Sequence, residues 1–254
     1  MPTDGDHDAR PILADTLPNL IAADMLGLSA DTVCWLRECG RQVSEVWRMM
    51  PSIREYDRLD ALCAEIHESL TRITAGDLDP DLVFFLATAG VETTASTIAG
   101  ALDILSCHVP LQADLRRQPD LVPRFVDEVL RLAGPIRRLT PRVSATPLVL
   151  DGVNIPAGRN VVLHIERAHR DPAVFVEPDE VRPSRESAAL LAFGGGMHAC
   201  PGAMLGRAQI QALLTQFLRH FHVLPGTQPP RLTGDPNLRQ YARLPIRLQR
   251  VKSA

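Results

Sequence analysis

A mainly α fold with small β segments is what this sequence predicts, and three features predict it. The first half reads as a succession of helices with recognisable starts and stops. Between Asp81 and Asp103 the chain carries a single charge, Glu92, and reads as one long buried helix. From Arg142 to Leu163, and again in the C-terminal tail, the texture changes to short β segments separated by turns.

Taken in order, residues 1–16 form a polar tail and residues 17–254 a single domain. Pro18 to Leu28 is a short apolar helix. Ser29 is the N-cap of a helix running to about Met50, where Pro51 ends it. Tyr56 to Ile73 is amphipathic and stops near Gly76. Asp79 caps the long helix, about residues 79–107, and Pro80 takes its first position, where a missing N–H costs nothing.

That helix is about long enough to cross a bilayer. A spanning helix would place Glu92 near the membrane centre, at a cost of roughly 2.5–3.5 kcal/mol. Thr88, Thr93, Thr94, Ser96 and Thr97 also surround the acid, so a helix buried in a soluble protein fits better. A buried acid in such a helix points to function.

A short helix follows Pro110, and another spans Pro119 to Leu132 before Gly134-Pro135. Turns are placed at Asp151-Gly152 and Ala157-Gly158. Asp171 to Arg185 is Pro-rich and irregular. A glycine loop then leads into an amphipathic helix from about Pro201 to Phe221. There are no internal repeats or low-complexity linkers.

A chain of 254 residues can bury a sizeable core. Its net charge of −3 and lack of a basic block give no footprint for nucleic acid. The five cysteines (Cys34, Cys39, Cys63, Cys107, Cys200) are odd in number and form no C-x-x-C pair, which argues against a disulfide framework and a four-cysteine zinc site. Met1 to Arg10 lacks the apolar run of a signal peptide, so the reading is a cytoplasmic protein with no membrane partner.

The sharpest signal is the run from Phe193 to Gly202, F-G-G-G-M-H-A-C-P-G. One reading is a glycine turn before a helix. Another is a dinucleotide loop, because Gly194, Gly196 and Ala199 have the G-x-G-x-x-A spacing. That loop needs an acid about 20 residues on to hold the ribose. No Asp or Glu occurs from Ser187 to Gly234, and the dinucleotide reading fails.

A haem reading explains more. A thiolate is favoured at a helix N-terminus by free N–H groups and the helix dipole. Glycines before it let the backbone lie close under a flat macrocycle. His198 can donate to a propionate, and absence of nearby acids suits a site that accepts two carboxylates.

At every specified position the run resembles the cytochrome P-450 signature F-G-x-G-x-H-x-C-x-G, here Phe193, Gly194, Gly196, His198, Cys200 and Gly202. Further motifs follow the family's order. Ala89-Gly90-Val91-Glu92-Thr93-Thr94 matches A-G-x-[DE]-T-T of the family's distal helix. Glu128-x-x-Arg131 matches E-x-x-R. Arg142 stands where the family has a propionate-pairing arginine. Ala168-His169-Arg170-Asp171-Pro172 and Phe175-x-x-Pro178 match A-N-R-D-P and F-x-x-P, with His169 replacing asparagine.

The resemblance implies a soluble bacterial haem-thiolate monooxygenase with haem b (iron protoporphyrin IX) as cofactor. Cys200 would be the iron ligand in a haem-thiolate loop at 193–202, and His198 and Arg142 the propionate partners. Ala89 and Gly90 would leave room for dioxygen, and Glu92 and Thr93 would relay protons. Glu128 and Arg131 would lock the core behind the cysteine loop. A ferredoxin or flavoprotein reductase would donate electrons, and the substrate would be a small organic molecule. The arginine bias, with Lys252 the only lysine, suits a GC-rich bacterial genome and hence a secondary-metabolite substrate.

Two departures stand out. The family's chain is much longer, so the resemblance implies a haem-binding core lacking the N-terminal helices and sheet; self-association or a partner chain would cover the exposed faces. The family's third charged partner of E-x-x-R is an arginine in P-x-R-F, whereas this stretch reads Pro178-Asp179-Glu180-Val181, leaving Arg182 or Arg185 as substitutes. Two other functions stay open. One is a peroxygenase, although such members commonly lose the acid-alcohol pair. The other is a non-catalytic helper protein that binds a partner enzyme, although such members usually lose the cysteine.

Overall fold

Three helices begin at side-chain N-caps, Ser29, Ser52 and Asp79, which satisfy the first free N–H groups locally. In the computed structural model the described residues are 5–44, 52–75, 77–139, 141–185 and 189–251. They divide into two units, residues 11–95 and residues 1–10 with 96–254, where the sequence reading has one domain over 17–254.

Residues 11–95 hold α1 (Thr16–Leu26), α2 (Ala30–Ser44), α3 (Ile53–Ile73) and the first half of α4 (Pro80–Cys107). α1 ends at Gly27, whose φ of 64° lets the Leu28 N–H reach back to the Ala23 carbonyl. The Ser29 hydroxyl accepts the Thr32 N–H at 3.0 Å, the predicted cap of α2. The expected end of that helix near Met50 lies outside the described residues.

α3 starts earlier than the sequence reading puts it. Ser52 and Glu55 exchange bonds in a capping box, with the Ser52 N–H donating to Glu55 Oε2 at 2.7 Å. Asp79 caps α4 as predicted, accepting the Leu82 N–H at 2.9 Å.

Leu36 and Cys39 of α2, Ile66 and Leu70 of α3, and Val83 and Ala87 of α4 form one buried cluster. Their spacings of three and four place each set on one helix face. α2 and α4 approach so closely that a Cβ on Gly40 would lie 2.5 Å from Thr88 Cγ2. α4 is not buried along its whole length: Leu82, Phe85 and Leu86 are exposed, and continuous burial runs from Thr94 to Leu102.

The other unit holds the rest of α4 with α5 (Val109–Arg117), α6 (Val122–Ala133), α7 (Ile165–Ala168) and α8 (Ala203–His220). The predicted helix from Pro119 divides into a 3₁₀ turn, Pro119–Leu121, and α6, with Pro123 in the first turn of α6. α6 stops at Gly134, where a Cβ would lie 2.3 Å from the Leu130 carbonyl oxygen. α8 starts at Ala203 and ends at His220, because Phe221 turns into a strand.

The strands are short: β1 (His7–Asp8), β2 (Arg142–Val143), β3 (Leu148–Leu150), β4 (Val153–Ile155), β5 (Asn160–Val161), β6 (Phe221–Pro225), β7 (Arg231–Leu232), β8 (Tyr241–Arg243) and β9 (Pro245–Arg250). β1, β9 and β6 form an antiparallel sheet in that order, and β2–β5, β3–β4 and β7–β8 are two-stranded. Asp151 and Gly152 join β3 to β4 with φ of 47° and 78°, the left-handed pair that an Asp-Gly hairpin turn requires.

Within the stretch read as a polar tail, residues 1–16, the described residues from Gly5 on include a strand and a turn of helix. β1 lies on β9 with His7 opposite Ile246, and the Asp8 carboxylate accepts the Leu244 N–H at 2.9 Å. A π-helical turn over Arg10–Ala14 then leads into α1. A two-residue strand is too short to leave a periodic signal in the sequence.

Candidate functional site

The glycine loop presents Cys200 in an open, carboxylate-free setting at the start of α8. The Cys200 N–H donates to the Phe193 carbonyl at 2.8 Å, closing the loop on itself. Gly194 and Gly196 have φ of 65° and 63°, and a Cβ on Gly194 would press on the His198 carbonyl oxygen at 3.2 Å. A Cβ on Gly202 would meet the Cys200 Sγ at 3.9 Å. Phe193 is covered by the Arg207 guanidinium, 4.5 Å from its ring centre, and Asp127 pairs with Arg207 at 2.8 Å.

Cys200 is exposed, although cysteine is among the most buried residue types. Met197 and Met204 beside it are also exposed, at 93% and 86%. Among the described residues no three His, Cys, Asp or Glu gather to hold a metal ion by themselves. A lone, open thiol at a helix N-terminus fits an iron whose other ligands come from a porphyrin. His198, in the 3₁₀ turn Gly196–His198, and Arg142, on β2, are exposed donors in the same unit.

A buried ionic cluster joins α6 to the segment after α7. Arg131 and Glu128 make a two-pronged pair, Nε to Oε1 at 2.7 Å and Nη2 to Oε2 at 2.9 Å. The third partner, absent from the family's usual place, is Arg185, whose Nε donates to Glu128 Oε1 at 3.1 Å. Arg182 contributes its main-chain N–H to Oε2 at 2.9 Å, while its side chain pairs with Glu177. The four acceptor sites of the carboxylate are thereby used. Arg131 also donates to the carbonyls of His169, Pro178 and Glu180, which ties the irregular segment after α7 to α6.

Ala89, Gly90, Glu92 and Thr93 lie on α4 within residues 11–95. A Cβ on Gly90 would meet nothing within 4 Å, so this stretch carries an open notch. The Thr93 hydroxyl donates to the Ala89 carbonyl at 2.8 Å, and Thr94 does the same to Gly90. Glu92 is held by Arg37 of α2 at 2.7 Å, and Arg37 also reaches Asp15 at 3.1 Å. Both side chains of the Arg37–Glu92 pair are less than a fifth exposed.

The sequence reading missed Arg37, Arg207 and the bonding of His169. No local pattern links Arg37 to an acid 55 positions away. His169 is 2% exposed, and its Nε2 accepts the Leu191 N–H at 2.9 Å. Burial, and then the Arg131 and Arg170 charges, lower its pKa to about 4.

A sequence model described as Cytochrome P450 matches residues 32–247. The chain is 34% identical over 188 residues to the beta-dihydromenaquinone-9 omega-hydroxylase of Mycobacterium tuberculosis, covering 72% of this chain and 38% of that protein. It is 35% identical over 201 residues to the cytochrome P450 monooxygenase PikC of Streptomyces venezuelae, covering 78% and 48%. Among solved structures, CalO2 is similar with a TM-score of 0.86 at 25% identity, over 97% of this chain and 68% of that one. CxnD, described as a cytochrome P450 enzyme for C–S bond formation in chuangxinmycin biosynthesis, gives 0.82 at 27% identity, over 97% and 66%. The matched region thus spans 38% and 48% of the two curated relatives' own lengths.

Proposed function

The chain belongs to the cytochrome P450 family, and from that premise we propose that it is the haem-binding part of a bacterial, cytoplasmic haem-thiolate monooxygenase acting on a small organic, secondary-metabolite-type substrate. Proteins of this family bind haem b. The observation that carries the reading is the exposed Cys200 thiol at the start of α8, in a glycine loop without carboxylates. When bound, haem b supplies the redox chemistry, activating dioxygen with electrons from a ferredoxin or flavoprotein reductase.

The remaining roles fall to side chains of this chain. Cys200, two residues ahead of the Gly202 N-cap of α8, is the residue that would hold the haem iron. Gly194 and Gly196 supply the left-handed turns of the loop, Gly202 leaves the side of the sulfur uncovered, and Phe193 is clamped by Arg207. His198 and Arg142 bind the two propionates by charge-assisted hydrogen bonds. Glu128, Arg131 and Arg185 hold the segment leading into the loop. On α4, Ala89 and Gly90 leave space for a small ligand. Arg37 fixes the Glu92 carboxylate as a proton carrier. Thr93 donates its hydroxyl hydrogen to the Ala89 carbonyl, which fixes the alcohol beside Glu92 as the second member of the proton relay.

The test is the absorption spectrum of the reduced, carbon-monoxide-bound chain, with haem counted per chain. A Soret band at the red-shifted thiolate position, lost in Cys200→Ala, is the expected result. Thr93→Ala should keep that band but consume oxygen without matching product. A folded chain that takes up no haem and co-purifies with a stoichiometric enzyme would overturn the reading in favour of a helper protein.

A further inference from the structure

We propose that His169 is a positioning residue for Cys200: its imidazole anchors the main chain at the mouth of the cysteine loop, and its own carbonyl joins that anchor to the Glu128–Arg131–Arg185 cluster. The inference rests on the haem-thiolate reading above for its consequence at iron, and on hydrogen-bond geometry alone for the anchoring.

The bond path is continuous. Arg131 Nη1 donates to the His169 carbonyl at 2.9 Å. His169 Nε2 accepts the Leu191 N–H at 2.9 Å. The Leu191 carbonyl accepts the Gly194 N–H at 2.9 Å, and the Phe193 carbonyl accepts the Cys200 N–H at 2.8 Å. One buried residue therefore links the ionic cluster on α6 to the turn that carries the ligand.

The ring is fixed in orientation and in protonation. It stands edge-on to Phe175 with centroids 6.2 Å apart, and the Arg131 guanidinium caps the same phenyl ring at 5.3 Å. An Nε2 that accepts must leave the proton on Nδ1. The groups facing the imidazole are two guanidinium ions, Arg131 and Arg170, together with Phe175 and the Leu191 N–H. Glu166 lines the same small cavity but is paired with Arg137 and Arg239, so the neutral acceptor form is the one held at neutral pH.

This also accounts for histidine where the resembled pattern A-N-R-D-P has asparagine. Nε2 lies at the far side of the ring, beyond the reach of an asparagine side chain from the same Cα. Glutamine, one methylene longer than asparagine, can place its carbonyl oxygen close to the Nε2 position. Phenylalanine keeps the ring and its contact with Phe175 but offers no acceptor.

The experiment uses the full 254-residue chain, first haem-free and then after haem addition, as wild type, His169→Phe, His169→Asn and His169→Gln. Hydrogen exchange of the peptide covering Leu191 to Cys200 is read in the haem-free proteins. Phe and Asn should speed exchange there about tenfold, a change equivalent to ~1.4 kcal/mol, while Gln stays close to wild type. In the reduced carbon-monoxide complexes, Phe and Asn should shift part of the Soret band from the thiolate to the neutral-thiol position, and Gln should restore it. If Phe does not fold, the Asn and Gln pair carries the comparison. Exchange in the Asn chain equal to wild type overturns the anchoring. A wild-type chain with no thiolate band overturns the haem reading, and the exchange measurement still decides the anchor.

Discussion

Replacing Arg131 with leucine removes the central donor of the buried cluster. The side chain is 1% exposed and its partner Glu128 4%. The guanidinium makes two bonds to Glu128 and three to the carbonyls of His169, Pro178 and Glu180. Arg131→Leu leaves Glu128 with Arg185 and the Arg182 N–H, and leaves the carbonyls short of a donor. Breaking a buried pair from one side costs about 3–5 kcal/mol, a large part of a typical domain's ~5–15 kcal/mol. Arg185→Leu removes one bond to Glu128 and the more exposed bonds to the carbonyls of Val176, Glu177 and Glu180; it should cost less, about 1.5–3 kcal/mol, because the two-pronged Arg131 pair survives. The double variant Glu128→Leu/Arg131→Leu should not recover the Arg131→Leu loss, because Arg185 then keeps a largely buried charge without its carboxylate partner. Urea denaturation followed by far-UV circular dichroism supplies the free energies, provided the slope m is unchanged. An Arg131→Leu loss below about 1 kcal/mol, or one smaller than that of Arg185→Leu, would refute the claim that this cluster braces the loop.

Three more consequences follow from side chains elsewhere. The His169 pKa is about 4 in the folded chain against 6.5 for a free imidazole, so its neutral form adds stability in full above pH 6.5. That stability is lost as pH falls from 6.5 toward 4, up to about 3 kcal/mol, and His169→Gln should flatten the stability curve in this window. Tyr241 donates to the Asp103 carboxylate at 2.8 Å, and burial already raises the Asp103 pKa. Because its folded pKa lies above the unfolded one, the Asp103 carboxylate weakens the fold as pH rises. Tyr241→Phe should therefore cost about 1.5–3 kcal/mol at pH 7 and less below pH 4; a larger loss in acid than at pH 7 would contradict this. Gly40→Ala places a methyl 2.5 Å from Thr88 Cγ2 and should cost about 1–3 kcal/mol. Thr88→Ala in the same chain should relieve most of it, which a double-mutant cycle measures.

What could be read from the sequence alone was local. Ser29 and Asp79 announce their helices because a cap is satisfied within three residues. Asp151-Gly152 announces its hairpin because only certain residues adopt two successive left-handed conformations. The cysteine loop is legible because its glycines, histidine and cysteine fall within ten residues, Phe193 to Gly202. The Ser52–Glu55 capping box was equally readable and marks the start of α3 more truly than the apolar periodicity does.

The tertiary structure decided which distant groups satisfy the buried charges. Arg185 rather than the side chain of Arg182 completes the Glu128 cluster, because side-chain register after Pro178 aims only one guanidinium inward. Arg37 meets Glu92 across 55 positions, and His7 meets Ile246 across most of the chain. The same holds for His169, whose Nε2 meets the Leu191 N–H 22 positions away. The physical reason is that caps and turns are satisfied within a few residues. The partner of a buried ion or an open strand edge is chosen by whatever the packed helices bring within about 3 Å.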